Sequence, residues 1–395
     1  MKIFRSIHSV NPAFGGPIES VKQSSAALID RGHEVEIISL DAPDDAWVRE
    51  CRVPVIALGP GRTRYGYSRR FSNWLKQKHA EYDAAIIQGI WQYNSFGVWR
   101  ALHRTETPYY VFPHGMLDPW FKQTYPLKHL KKLSYWPWSE YRVLRDAAAV
   151  LFTSEEERRL ARESFSPYRC REAVVNYGTA APEIDFANAR EDFLSAFPQL
   201  RDQRYLLFLG RLHEKKNCEQ LIKAFAAFVA STRSDQSLHL VMAGPSADRH
   251  YQQHLERLAG STPTIIFTGM LTGSRKWGAF SGADAFILPS HQENFGIAVV
   301  EALSCATPVL ISNKVNIWRE IAADKAGFVD TDDFAGVTRL IECWINTSRH
   351  GRVAMQENAR KCFTRHFEIR RATDSLLEIL NSRVKDETKI PVPHC

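Results

Sequence analysis

The chain has 395 residues, 44% hydrophobic and 24% charged, with a formal net charge of +7. These proportions belong to a folded protein and exclude a disordered or fibrous one, while the length suits two domains of roughly 150–200 residues better than one core. The basic balance favours an anionic partner, which leaves nucleoside diphosphates, anionic lipid surfaces and nucleic acid all eligible.

The chain begins with a strand-like pattern at Lys2–Ile7, with no apolar leader segment before it. A turn rich in Pro and Gly follows over Asn11–Pro17 and contains Gly15 and Gly16, whose lack of side chains lets backbone approach a ligand phosphate closely. Apolar positions at 18, 21, 28 and 29 then predict a helix with Pro17 at its first turn, and Gly32 stops it before a second strand at Val35–Leu40. Strand, glycine turn, helix, strand is the opening of a parallel α/β sheet. Further strands are expected at Ala84–Gln88, Tyr109–Pro113, Val150–Thr153 and Ala173–Asn176. His114 and Gly115 follow the strand at 109–113, which places His114 at a sheet's C-terminal edge, within reach of a bound hydroxyl.

Between Met116 and Arg145 stand six Lys or Arg and seven aromatics against two acids. Trp120, Lys128, Lys131, Lys132, Trp136 and Trp138 are the candidates here for contact with a lipid-linked acceptor or a membrane surface. A sugar-stacking groove or a packed hairpin with a solvated face fits the same composition. Single-stranded nucleic acid is also compatible with it, but no recognised motif supports that, and no nucleic-acid partner is expected.

The irregular stretch 180–203 separates a second start at Arg204–Gly210, a continuous apolar run suited to a strand buried on both faces. Later strands are expected at Leu238–Ala243, Thr264–Thr268, Ala285–Leu288 and Pro308–Ile311, with a last helix over about 353–382 and a polar tail. Directly after the first of these strands come Arg211 and Lys216, two cations five residues apart on a loop. Such a pair can clamp a diphosphate and neutralise a phosphate leaving group. After the strand at 285–288 come Glu293, Asn294 and Phe295, and then Gly296, which opens a helix to about Ser304. The amides of that first turn form an anion site. Glu293 can accept from sugar hydroxyls, and Glu301, inside an apolar helix, is a buried carboxylate that needs donors such as a ribose diol.

The spacing Glu293–Glu301 resembles the E-x7-E signature of glycosyltransferase family four, retaining enzymes of the GT-B fold. The Gly210-Arg-Leu-x-x-x-Lys216 element resembles that family's other donor-site mark, and the likeness extends through Gly15-Gly16 and His114-Gly115, over nearly the whole chain. The resemblance implies two Rossmann-like doubly wound domains facing a central cleft. Their expected bounds are 1–180, acceptor-side, with a helix at about 361–383 packing back on it, and 181–360, donor-binding, with 384–395 as the tail. It further implies that Arg211 and Lys216 bind the donor diphosphate, that Glu301 holds the ribose and Glu293 the transferred sugar. The backbone around Asn294, Phe295 and Gly296 would meet sugar or phosphate, and the loop 267–271, with Met270, the base. His114 would stand beside the reacting centre. Two departures are Asn217, where the family usually has Gly and where a stiffer loop is expected, and Asn294-Phe295, where many members carry Gly or Pro.

The expected activity is transfer of a hexosyl unit from a UDP- or GDP-linked sugar to a glycan or lipid-linked acceptor, in surface polysaccharide or lipopolysaccharide assembly. A nucleotide-sugar epimerase and a non-catalytic sugar-nucleotide or membrane-surface module are the alternatives. No cofactor or metal is expected, and Asp330–Asp333, which imitates a D-x-D metal motif, is read as a strand-edge turn. Seven scattered cysteines without a C-x-x-C pair suit reduced thiols in a cytoplasmic protein, associated if at all with the inner face of a membrane.

Overall fold

A computed structural model describes residues 1–231, 238–260 and 262–386, without the side chains of Phe14 and residues 383–386. The expected polar tail lies, from residue 387 onward, outside the described residues. The chain divides into two compact units, Met1–Thr179 with the segment from Ile369, and Ala180–Glu368.

The first unit is built on a seven-stranded sheet ordered β3-β2-β1-β4-β5-β6-β7. Its strands are β1 (Lys2–Ile7), β2 (Glu34–Ser39), β3 (Val55–Ala57), β4 (Ala84–Gln88), β5 (Tyr109–Phe112), β6 (Ala149–Phe152) and β7 (Glu172–Val174). Every pairing is parallel. Helices cover both faces of such a sheet, which is why β4, β5 and β6 are wholly buried and, apart from Gln88 at the end of β4, made of apolar and aromatic residues. The sequence gives no signal for β3, a three-residue, half-buried strand at the sheet's edge.

The second unit repeats the plan with six parallel strands in the order β10-β9-β8-β11-β12-β13. These are β8 (Arg204–Leu209), β9 (Leu238–Ala243), β10 (Ile265–Gly269), β11 (Ala285–Leu288), β12 (Val309–Ser312) and β13 (Gly327–Asp330). In each sheet the strand order reverses once, between β1 and β4 and between β8 and β11. Loops leaving the C-terminal ends of two such strands part in opposite directions and leave a crevice, the usual ligand site of these folds.

The expected continuous helix at 353–382 is interrupted. Arg349–Cys362 is α-helical, Phe363–Phe367 forms a wider π turn, and a separate helix runs Ile369–Asp386. The wide turn lets both Phe363 and Phe367 face inward, where they are buried. The helix that packs on the first unit therefore begins at Ile369, not near 361. Its Leu376 and Leu380 join a core with Ile3, Leu28, Tyr110 and Phe112, and Arg31 donates to Asp374 at 2.8 and 3.0 Å and to the Arg370 carbonyl at 2.9 Å. Among the described residues no helix is long and apolar enough to cross a membrane.

Candidate active site

In the second unit, β8, β9 and β10 end side by side in Gly210, Gly244 and Gly269. The Gly210 N–H donates to the Ala243 carbonyl (2.9 Å) and the Gly244 N–H to the Gly269 carbonyl (2.8 Å). Gly244 has φ +137°, and a Cβ there would lie 1.9 Å from the Gly210 carbonyl oxygen. The Gly244 and Gly210 backbones can approach this closely only because Gly244 has no side chain, and the three glycines leave a bare ledge at the sheet's C-terminal edge. Met270 follows it directly and is 69% exposed. Residues 267–269 belong to β10 itself, so the expected base-contacting loop reduces to Met270 and Leu271.

The loop after β8 carries Arg211, exposed and without an ion pair among the described residues. It then tightens into the short 3-10 turn Glu214–Lys216, which ends on Asn217 in the left-handed conformation (φ 59°, ψ 35°). Asn is one of the few side chains that tolerate this region, which accounts for its standing where a glycine was expected. Its buried carboxamide donates to the carbonyls of Pro289 (3.0 Å) and Asp332 (2.6 Å). Asn217 thus ties the loop after β8 to those after β11 and β13.

Lys216 emerges from that turn and pairs with Glu293, on the loop after β11, across the point where strand order reverses. Burial, together with the charges of Lys215 and Arg211, draws its ammonium down to about 7. The backbone of Glu293 is fixed on both sides. Its N–H donates to the Lys314 carbonyl (2.9 Å) and its carbonyl accepts from the Asn316 N–H (3.0 Å), so its backbone is clamped to the segment after β12.

Gly296 takes the left-handed conformation (φ 72°, ψ 62°) and starts the helix Ile297–Ser304, whose N-terminus has no side-chain cap. A Cβ at Gly296 would come within 3.2 Å of the Glu293 and Val299 side chains. The Phe295 ring points away into the core, edge-on to Phe367 at 5.8 Å, leaving only its backbone at the loop surface. Asn294 accepts from the Asn316 carboxamide at 3.4 Å. Glu301, 7% exposed, is met by Lys276 at 2.8 Å. The buried carboxylate therefore has a protein donor and does not depend on a ligand for one. Lys276 gave no sequence signal, since it lies on a helix, Gly273–Gly282, that matches no motif.

The acidic run after β13 is fully employed. Asp330 pairs with Arg339 (2.5 Å), Asp332 with His291 (2.7 Å), and Asp333 caps the next helix through the Gly336 N–H (2.7 Å).

In the first unit, Gly15 (φ 93°) and Gly16 lie at the N-terminus of the helix Gly16–Ile29, on the C-terminal side of β1. His114 follows β5 in the left-handed region, with φ 51°, and Gly115 has φ 72°. The turn is held by Glu157, which accepts from the Gly115 N–H (2.6 Å), the Thr153 N–H (2.7 Å) and the Thr153 hydroxyl (2.8 Å). The imidazole stacks on Phe112, centroids 5.5 Å apart, and its Nε2 bonds to the Gln88 Oε1 at 2.7 Å. Burial and the nearby Arg5 charge pull His114 down to about 4, so it is neutral near pH 7. Gln88, at the end of β4, is a residue that sequence reasoning passed over.

The basic and aromatic segment divides. Trp136 is wholly buried, stacked on Phe165 at 4.6 Å, and Lys132 lies half-buried over the Trp91 ring at 4.3 Å. Trp136 is therefore not a surface contact, contrary to expectation, and Lys132 is only partly exposed, because the hairpin folds over them. Trp120 is half-buried against Phe121 and Tyr125. Lys128, Lys131 and Trp138 do face outward, and beside them are three residues not singled out from sequence. Leu127 is 82% exposed, Leu130 64% and Leu133 36%. On the helix Pro126–Tyr135 these leucines recur every third residue, while His129 is buried. A helix that turns its leucines outward presents an apolar surface that an ordinary solvated face does not have.

Two family descriptions match the chain, a glycosyl transferase 4-like domain over residues 15–178 and glycosyl transferases group 1 over residues 190–362. A GDP-mannose-dependent alpha-(1-6)-phosphatidylinositol dimannoside mannosyltransferase of Mycobacterium tuberculosis is 26% identical over 97% of this chain and 96% of its own. Among solved structures, sucrose-phosphate synthase from Thermosynechococcus elongatus superposes with a TM-score of 0.76 at 18% identity, covering 97% of this chain and 99% of that one. Anabaena Alr3699/HepE, solved in complex with UDP, does so with a TM-score of 0.74 at 17% identity, covering 97% and 100%.

Proposed function

Because this chain belongs to the group 1 glycosyltransferases and has their GT-B fold, we propose that it is a retaining hexosyltransferase. Its donor is a UDP- or GDP-linked sugar and its acceptor a lipid-linked or glycan precursor of a surface polysaccharide or lipopolysaccharide. It works without metal or cofactor at the cytoplasmic face of a membrane. The observation that carries this reading is the Lys216–Glu293 pair at the β8/β11 reversal, with Arg211 beside it and the uncapped helix Ile297–Ser304 next in the chain.

The donor diphosphate occupies this cluster of positive charge and free amide dipoles. Arg211 and Lys216 take its oxygens, and the charge that develops on the leaving group meets donors already in place. Once Lys216 turns to phosphate, Glu293 is released toward the hydroxyls of the transferred sugar. Glu301, oriented by Lys276, accepts from the ribose, and the glycine ledge with Met270 receives the base. Neither glutamate is assigned as nucleophile, since Glu301 is held by Lys276 and Glu293 is given to the sugar hydroxyls. The departing phosphate screens the charge of the oxocarbenium-like centre and takes the proton of the acceptor hydroxyl, which attacks on the face the phosphate leaves. Neutral His114 contributes a hydrogen bond rather than a charge.

Product analysis tests the reading. Incubation with labelled UDP- and GDP-sugars and acceptor pools from membrane extracts is expected to yield a glycoside with the donor's anomeric configuration, read by NMR. An inverted product would overturn retention. An epimerised nucleotide sugar, or no glycoside with any pool, would overturn transfer.

The outward leucines, with Trp138, Lys128 and Lys131, fit an anionic lipid surface: apolar side chains enter the interface while the lysines meet head-group phosphates. The double variant Leu127→Asp with Leu130→Asp is expected to lower binding to phosphatidylglycerol-containing vesicles by roughly 10-fold or more, since each leucine forfeits its burial in lipid. Nucleotide affinity should be unchanged. Equal sedimentation of both forms with vesicles would contradict membrane docking through this face.

A further inference from the structure

Arg5 stands in the middle of β1, 2% exposed, beneath the helices Gly16–Ile29 and Ile369–Asp386. Its guanidinium donates to the Val21 carbonyl at 3.2 Å and to the Ser24 hydroxyl. Its Nε meets no acceptor, and it has no ion pair, among the described residues. Burial draws Arg5 down only to about 10, so the group is charged at neutral pH. A full positive charge is thus held out of water without a counter-charge, an arrangement proteins seldom keep because of its desolvation cost.

Beside the guanidinium is a narrow cavity with room for a water-sized group or two. Arg5 and Gln88 bring donors to its polar wall, which Ser24, Asn176, Tyr177 and Thr373 complete, and among the described residues no Asp or Glu lines it. Gln88, 6% exposed, brings an Nε2 that also finds no acceptor among the described residues. The first turn of the helix Ile369–Asp386 lines the wall through Ile369, Ala372 and Thr373 and adds the positive end of its dipole. Val21, Phe112 and Leu376 supply an apolar remainder. A space of this size, with donors and no carboxylate, suits a compact anion and excludes a nucleotide or sugar.

We infer that this cavity is a binding site for a small monovalent anion, chloride or another halide, held by the Arg5 guanidinium and the Gln88 carboxamide. Occupancy has a chemical consequence next door. With its NH2 fixed on the anion, Gln88 must present Oε1 to His114, which it contacts at 2.7 Å. The imidazole then carries its proton on Nε2 and leaves Nδ1 bare, so the anion selects the tautomer of His114. Only this consequence rests on the proposed role of His114 in transfer; the binding itself does not.

The test is thermal unfolding of the full chain, without nucleotide, in sodium bromide or chloride against sodium gluconate at equal ionic strength. A ligand that binds the native state raises Tm with its concentration, so a saturating rise in halide, absent in gluconate, is expected. The 35Cl line should broaden in proportion to protein and sharpen when bromide is added. Gln88→Glu places a carboxylate beside Arg5 and is expected to fold while losing the halide increment, which keeps the test decisive even where Arg5→Met fails to fold. The 15N shifts of His114 should report the Nε2–H tautomer in halide. Equal Tm in halide and gluconate, or an unchanged increment in Gln88→Glu, would overturn the site. None of these readouts needs sugar transfer, so a negative result leaves the proposed reaction standing, and a failed transfer assay leaves the anion site standing.

Discussion

Replacing Lys216 with alanine is expected to weaken UDP or GDP binding by about 10- to 150-fold, or roughly 1.5–3 kcal/mol, the range for hydrogen bonds to charged groups. The turnover number should fall further, by about 10²–10³, because charge on the leaving diphosphate grows in the transition state. The loss has two sources. One is the missing ammonium. The other is Glu293, which the wild-type lysine holds and whose backbone is clamped to Lys314 and Asn316; without Lys216 its carboxylate stays in place and repels the incoming phosphates. Arg211→Ala should act in the same direction but less, since that side chain is exposed and solvent screens it. A pH dependence follows from the low proton affinity of Lys216 in the unliganded site, about 7. A bound diphosphate raises it, so affinity is full below about pH 7 and declines as pH rises through the liganded value. Calorimetry at pH 8 in buffers of different ionisation enthalpy should show proton uptake. Equal affinity for wild type and Lys216→Ala would remove the phosphate clamp from the mechanism.

Asn217→Ala is expected to destabilise the second unit by about 3–5 kcal/mol. The left-handed backbone at this position costs a residue with Cβ and no local hydrogen bond about 1–2 kcal/mol. Two buried carbonyls, of Pro289 and Asp332, lose their donor, at about 1 kcal/mol or more each. Asn217→Gly restores the backbone freedom but not the donors and should lose only about 2 kcal/mol. Denaturant unfolding with and without UDP or GDP separates the effects. The glycine variant should also bind the nucleotide more weakly than its stability alone explains, because Lys216 is the preceding residue and the tie to the loop after β11 is gone. If the glycine and alanine variants were equally stable, the left-handed conformation would not be what selects asparagine here.

The parallel sheets were legible because their central strands are buried on both faces and therefore predominantly apolar. Ala84–Gln88, Leu238–Ala243 and Ala285–Leu288 have the bounds read from the sequence. The edge strands β3 and β13 are short and half-buried, so their residues carry no such pattern. Glu293, Gly296 and Arg211 were visible because loops at strand ends concentrate polar residues of unusual spacing. Their partners were not. Lys276 reaches Glu301 from another helix, and Gln88 reaches His114 from the neighbouring strand. A sequence shows which groups need a partner, but the register of strands and helices decides which group supplies it. The aromatic hairpin teaches the same lesson by its errors. Trp136 and Trp138 are two residues apart and identical in chemistry, yet one is wholly buried and the other 68% exposed. Composition could not separate them, and Leu127, Leu130 and Leu133 mislead in the same way, since apolar residues at helical spacing read as a core face yet these are exposed.

The ledge formed where β8, β9 and β10 end in glycine bears on how this protein's choice of nucleotide can change over evolution. Gly244 cannot acquire a side chain without colliding with the Gly210 carbonyl, so that position is closed to ordinary point mutation on folding grounds alone. A planar ring resting there would be measured by the breadth of a bare backbone surface and not by an alphabet of side chains. Divergence in base preference must then come from the rim, where Met270 is exposed and free to vary, and should appear as graded discrimination rather than an all-or-none switch.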